Sequence, residues 1–136
     1  MQINVIYWSG TGNTEAMATF IKEGAESVGA AVKLLHVSAA SMDDVNCDVL
    51  VLGCPSMGDE VLEESEFEPF IAAIEGRISG KKAALFGSYG WGDGQWMREW
   101  DERMKTAGAV LIAESLIVNE APNGQECKDF GAKVAE

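Results

Sequence analysis

Three short, nearly continuous apolar runs, residues 3–8, 48–53 and 82–87, constrain the fold of this chain more than any other feature. A run without polar alternation has no face for water, so each reads as a strand covered on both sides, as in a parallel sheet between helix layers. Between the runs the period changes. Met17, Phe20, Ile21, Gly24 and Val28 recur at helical spacing, as do Phe67, Phe70, Ile71, Ile74 and Ile78. Ser65 and Glu68 match a capping box, and Pro69 would fall in the first turn, where a missing N–H costs little. A further helix carries Trp96, Met97, Trp100 and Met104 on one stripe, and a last one carries Cys127, Phe130, Gly131 and Val134. Residues 32–36 supply the second strand, and residues 110–119, interrupted near Glu114 and Ser115, the fifth. Five strand–helix units are therefore predicted, as one domain over residues 1–136. Right-handed crossovers favour a doubly wound α/β fold, with ligands bound beyond the carboxyl ends of the strands where strand order reverses.

Composition narrows the function classes. The formal charge of −12 argues against sequence-independent nucleic-acid binding, which draws its affinity from Lys and Arg, and leaves basic protein partners open. Cys47, Cys54 and Cys127 are odd in number and widely spaced, so neither a disulfide framework nor a CxxC pattern is available, and a reducing cytoplasm is expected. No signal-like segment opens the chain, and no apolar run approaches the ~20 residues of a membrane span. His36 ends a strand without companion ligands, and Cys54 lacks an arginine six positions on, so metal and phosphatase-type readings find no support.

The segments after strands one, three and four have unusual chemistry for connectors. Ser9-Gly10-Thr11-Gly12-Asn13-Thr14 joins a buried strand to an amphipathic helix, so its N–H groups and hydroxyls can converge on an anion at the helix N-terminus. It lacks the lysine of a Walker A loop, and Glu15 stands where a dinucleotide fingerprint needs its third glycine. One monophosphate held by neutral donors suits it better; an ordinary turn capped by Asn13 or Thr14 is the bland alternative. Met57-Gly58-Asp59-Glu60 offers an apolar side chain, a glycine free to take positive φ and a carboxylate able to accept a ring N–H. Tyr89-Gly90-Trp91-Gly92 presents an aromatic platform between glycines. Together these describe a planar heterocycle with a phosphorylated tail. Flavin mononucleotide (FMN) and a purine mononucleotide satisfy them equally. A receiver domain of the same fold class would need acidic residues where Trp8, Ser9 and Cys54 stand, whereas a nicotinamide-dependent flavoenzyme remains a rival.

The segments Tyr7 to Glu15, Gly53 to Glu60 and Leu85 to Gly94 closely resemble the short-chain bacterial flavodoxins, in order and at matching spacing, and the resemblance runs the length of the chain. It implies a flavodoxin-like five-stranded parallel sheet of order 2-1-3-4-5 with helices on both faces. It also implies non-covalently bound FMN, with the phosphate held by Ser9, Thr11, Gly12, Asn13 and Thr14. Trp91 would cover one face of the ring and Met57 the other, with Glu60 on the N3 edge. Ser56, Ser88, Gly90 and Asn119 would make lesser contacts, beside Gly58, Asp59, Tyr89 and Gly92 in the same loops. The implied activity is that of a monomeric, low-potential one-electron carrier without substrate turnover. It would cycle mainly between semiquinone and hydroquinone and serve larger redox proteins with basic docking surfaces. A turn of type II′ with Gly58 first would let the Gly58–Asp59 peptide flip its carbonyl toward a protonated ring nitrogen. Asp59, Glu60, Glu63, Glu64, Glu66 and Asp93 would disfavour an anionic ring, each charge ~10 Å away contributing ~0.4 kcal/mol in a water-like dielectric.

Overall fold

A computed structural model describes residues 1–136. Its strands are β1 (Gln2–Tyr7), β2 (Ala31–His36), β3 (Val49–Gly53), β4 (Lys82–Tyr89), β5 (Val110–Leu111) and β6 (Leu116–Asn119). Its helices are α1 (Asn13–Ser27), α2 (Phe67–Ile74), α3 (Gln95–Thr106) and α4 (Gly124–Val134). The strands form one parallel sheet of order β2-β1-β3-β4-β5, and β6 also pairs with β4. β5 and β6 are thus the two halves of the predicted fifth strand, parted at the expected place.

Burial on both faces follows the predicted runs. Alternate side chains leave a strand on opposite sides. Ile3 and Val5 of β1 meet Met17 and Ile21 of α1 and Phe130 of α4, while Ile6 faces Phe67 and Ile71 of α2 and Trp96 and Trp100 of α3. The polar Asn4 is tolerated inside because its amide donates to the Asp44 carbonyl at 2.6 Å. The α1 and α4 backbones pack in direct contact: a Cβ on Gly24 would stand 2.0 Å from the Lys128 carbonyl oxygen, and one on Gly131 2.1 Å from that of Ile21. Any side chain at either position would push the two helices apart.

Three local expectations fail. The second unit has no α-helix: β2 is followed by 3-10 turns at Val37–Ala39 and Met42–Val45. Only Val37 and Val45 among its apolar residues are buried, too few for an amphipathic stripe, and Asp44 tightens the second turn by accepting the Ser41 N–H at 2.8 Å. Val28 matches the stripe of α1 but is exposed, because the helix ends at Ser27 and Gly29 takes a φ of 95° just beyond it. The Ser65–Glu68 capping box does not form. The Glu63 carboxylate instead accepts the N–H groups of Ser65 (2.9 Å), Glu66 (2.8 Å) and Phe67 (2.8 Å) as well as the Ser65 hydroxyl. Glu68 turns away to Arg103. Pro69 does lie in the first turn of α2.

No helix is long and apolar enough to cross a membrane.

Candidate functional site

The parallel strands bring the segments after β1, β3, β4 and β6 to one edge of the sheet, where they enclose a crevice of about 310 Å³. Thr11, Asn13, Ser56, Met57, Ser88 and Gly90 line it, together with Tyr89. Trp8, Gly10, Pro55 and Glu120, not among the expected contacts, line it too.

Around the first segment, α1 starts at Asn13 and Gly12 precedes it in the left-handed region, at φ 99°. The Ser9 hydroxyl oxygen sits inside the turn and accepts the N–H groups of Gly12 and Glu15, each at 3.2 Å. The N–H groups of Thr11, Asn13 and Thr14 find no acceptor in the chain. Free donors at the positive end of a 15-residue helix form an anion cradle. Neither Asn13 nor Thr14 caps the helix as a plain turn would require. The buried Thr14 hydroxyl instead pairs with that of Ser88 at 2.8 Å and ties this segment to β4. No Lys or Arg lines the crevice, so its donors are uncharged. The Tyr7 hydroxyl donates to Glu15 at 3.4 Å; burial, then the Glu15 charge, raises its pKa above the usual phenol value.

After β3, the backbone of Met57 pairs with that of Val61 through two bonds, of 2.9 and 3.0 Å, and Gly58, Asp59 and Glu60 protrude between them. Gly58 has the expected positive φ, 49°, with open space where a Cβ would stand. Closure falls at Val61, one residue later than the four-residue II′ turn expected, because Glu60 also takes a left-handed φ of 57°. Glu60 Oε1 is buried without a hydrogen-bond partner, and a Cβ on Gly92 would stand 2.3 Å from it. The second and third segments therefore meet through Glu60 and Gly92.

Behind the second segment, Cys54 is fully buried. Its carbonyl accepts the Trp96 indole N–H at 3.2 Å, and burial raises its thiol pKa to about 12, so the thiol is inert. Burial alone would also raise the Glu63 pKa, but the hydrogen bonds from Ser65, Phe67 and Glu66 outweigh it and hold the value at about 2.

In the third segment Trp91 is 62 % exposed and lies outside the crevice lining, as do Gly92 and Asn119. The Tyr89 ring packs on Trp96 at 5.6 Å, while its carbonyl accepts the Asn119 amide (3.2 Å) and the Glu120 N–H (2.8 Å). Glu120 holds a strained φ of 58°. Trp8 shields Gly10, where a Cβ would stand 2.8 Å from its ring, and donates to Glu66 at 3.3 Å. The nearby acidic charges are not equally free, since Asp93 pairs with Arg98 at 3.0 Å and Glu63 is enclosed by its donors. His36 caps a 3-10 turn by accepting the Ser38 N–H.

The flavodoxin family model matches residues 5–131. The chain is 54% identical to the flavodoxin of Clostridium beijerinckii over 136 residues, covering 98% of this chain and 99% of that protein. It is 47% identical to the flavodoxin of Megasphaera elsdenii, with 98% of each covered. The solution structure of two-electron reduced Megasphaera elsdenii flavodoxin matches with a TM-score of 0.92 at 46% identity, again over 98% of both chains. The chain belongs to the flavodoxin family, FMN-binding electron carriers rather than enzymes that turn over a substrate.

Proposed function

We propose that this chain is a low-potential one-electron carrier that holds FMN in the crevice at the carboxyl edge of its sheet. The observation that carries the reading is the donor set. Thr11, Asn13 and Thr14 offer N–H groups with no acceptor in the chain, at a helix N-terminus that borders a crevice without a cationic side chain. Neutral donors suit one phosphomonoester, and a di- or triphosphate would call for a lysine, an arginine or a metal. The residues present fit the group.

Ser9, Thr11, Gly12, Asn13 and Thr14 would hold the phosphate. Ser56, Met57, Gly58, Asp59, Glu60, Ser88, Tyr89, Gly90, Trp91, Gly92 and Asn119 would surround the ring system. When bound, FMN supplies one electron at a time, mainly between its semiquinone and hydroquinone states. The chain tunes that exchange in two ways. Gly58, in the left-handed region with space around it, lets its peptide turn a carbonyl toward a protonated ring nitrogen without steric penalty. Asp59 and Glu64, exposed near Met57, make added negative charge less favourable. No general base, nucleophile or metal enters this scheme.

The surplus of acidic residues also suits docking on basic faces of larger redox proteins in the cytoplasm, by a carrier acting as a monomer. Anaerobic stepwise reduction of the purified protein, followed by its visible spectrum, tests the function. Two flavin bands giving way to a long-wavelength intermediate and then bleaching at low potential support it. A colourless protein that takes up no FMN overturns it.

A further inference from the structure

In the whole chain, two buried side-chain polar atoms find no hydrogen-bond partner: Glu60 Oε1 and Trp100 Nε1. They lie far apart in sequence, yet both residues line one pocket of about 180 Å³, separate from the crevice and shared with Glu68, Glu99 and Arg103. The two atoms are chemically complementary. An ionised carboxylate oxygen only accepts hydrogen bonds, and an indole N–H only donates. Leaving such a group buried and unpaired costs about 1–3 kcal/mol, so two in one pocket call for an explanation.

The other charged groups of the pocket are already engaged. Arg103 forks onto Glu68 through two bonds of 2.6 Å and reaches Glu75 at 2.6 and 3.0 Å, and Glu99 accepts from Gln95 at 3.1 Å. Trp100 itself is 2 % exposed and packed edge-on against Phe67, with ring centroids 5.5 Å apart, so its N–H cannot turn to bulk solvent. A water needs about 30 Å³ and two to four polar partners; the pocket has the volume, and the two unpartnered atoms belong to residues that line it.

We propose that a bound water joins Trp100 Nε1 to Glu60 Oε1 and makes Trp100 a positioning residue for the Glu60 carboxylate. Resting on the function proposed above, the link fixes the carboxylate while its other oxygen, Oε2, remains for a ring N–H of the cofactor. It also accounts for the left-handed backbone at Glu60. A carboxylate anchored from behind can hold a residue in a conformation that its Cβ disfavours.

The link is read first in the cofactor-free protein. The Trp100 indole N–H signal in a nitrogen-15 spectrum, assigned through its contact with the Phe67 ring, is expected to move on Glu60→Gln and to stay in place on Glu99→Gln. A signal indifferent to Glu60→Gln overturns the link. The positioning role is read in FMN affinity. Trp100→Phe, which keeps the ring in the core and removes the donor, is expected to weaken binding about five-fold, the scale of one hydrogen bond. In the Glu60→Gln background the same change is expected to cost much less. Equal losses in both backgrounds overturn the positioning role. Failure of the unmodified protein to bind FMN overturns the proposed function and leaves the cofactor-free test standing.

Discussion

The segment after β1 and the segment after β3 border the same crevice but are built in opposite ways. The first is braced. Ser9 closes its turn with two N–H bonds, Thr14 ties it to Ser88 of β4, and its helix is pressed onto α4 at two glycines. The second has direct braces only at its ends, the Met57–Val61 pair and the Glu63 carboxylate at the start of α2. Its tip, Gly58-Asp59-Glu60, has two residues in the left-handed region and no direct side-chain hydrogen bond. A site that grips one end of a ligand and adjusts to changes at the other needs this inequality. Rigid donors suit a phosphate whose charge stays constant, and a loosely held peptide suits a ring whose proton count changes.

The largest effect is expected where the braced side is broken. Gly131→Ala places a methyl 2.1 Å from the Ile21 carbonyl oxygen and 3.0 Å from the Ala25 nitrogen, both backbone atoms that cannot rotate away. The expected loss is about 3 kcal/mol, at the upper end of overpacking costs, in denaturant unfolding of the cofactor-free protein. An unchanged midpoint would mean that α1 is not pinned by this crossing.

Acid should undo the anchor of the second segment next. The Glu63 pKa is held down at about 2 against an ordinary 4.5, so its contribution is complete above 4.5 and is lost as pH falls from there toward 2. Taken in full the shift corresponds to about 3 kcal/mol, and solvent screening brings the contribution below the Gly131→Ala loss. Glu63→Gln is expected to lower stability at neutral pH and to flatten the pH dependence of unfolding over that window.

At the tip the effects become electronic rather than structural. Gly58→Ala meets no neighbouring atom, so its penalty is the conformational one of about 1–2 kcal/mol. If the peptide must turn when the first electron and proton arrive, the first midpoint falls and the second rises by roughly 40–90 mV. Potentiometric titration with both midpoints unchanged would remove the flipping peptide and leave the tip a passive loop.

These differences also explain which features could be read from the sequence. Period and punctuation are local, so the strands, the split fifth strand, the stripe of α3 and the three loops were legible. What escaped depends on residues distant in sequence or on competition between neighbours. Glu63 takes the cap from Ser65 because its two carboxylate oxygens gather three N–H groups where a hydroxyl oxygen takes at most two. Trp8 looked like the end of a strand, yet its ring folds over Gly10 and walls the crevice. Glu120, beside the expected Asn119, enters the lining because both bind the Tyr89 carbonyl. Gly29 was a readable stop for α1 that the helical spacing of Val28 obscured. Nothing in the sequence places Trp100 and Glu60 on one pocket.

The smallest expected effect sharpens the comparison most, because it separates charge from conformation at the same tip. Asp59 is exposed, next to Gly58, and forms no ion pair. Asp59→Asn keeps the shape and removes one negative charge, worth ~0.4 kcal/mol at ~10 Å in a water-like dielectric. Removing it makes the second electron easier to add, so the lower midpoint should rise by about 20 mV while the upper one changes less. At ~1 M salt, where the screening length is about 3 Å, the difference should vanish. The Gly58→Ala shift, being conformational, should survive the same salt. If both shifts fade together, the tip acts through its field alone; if neither fades, Asp59 contributes through backbone geometry rather than charge.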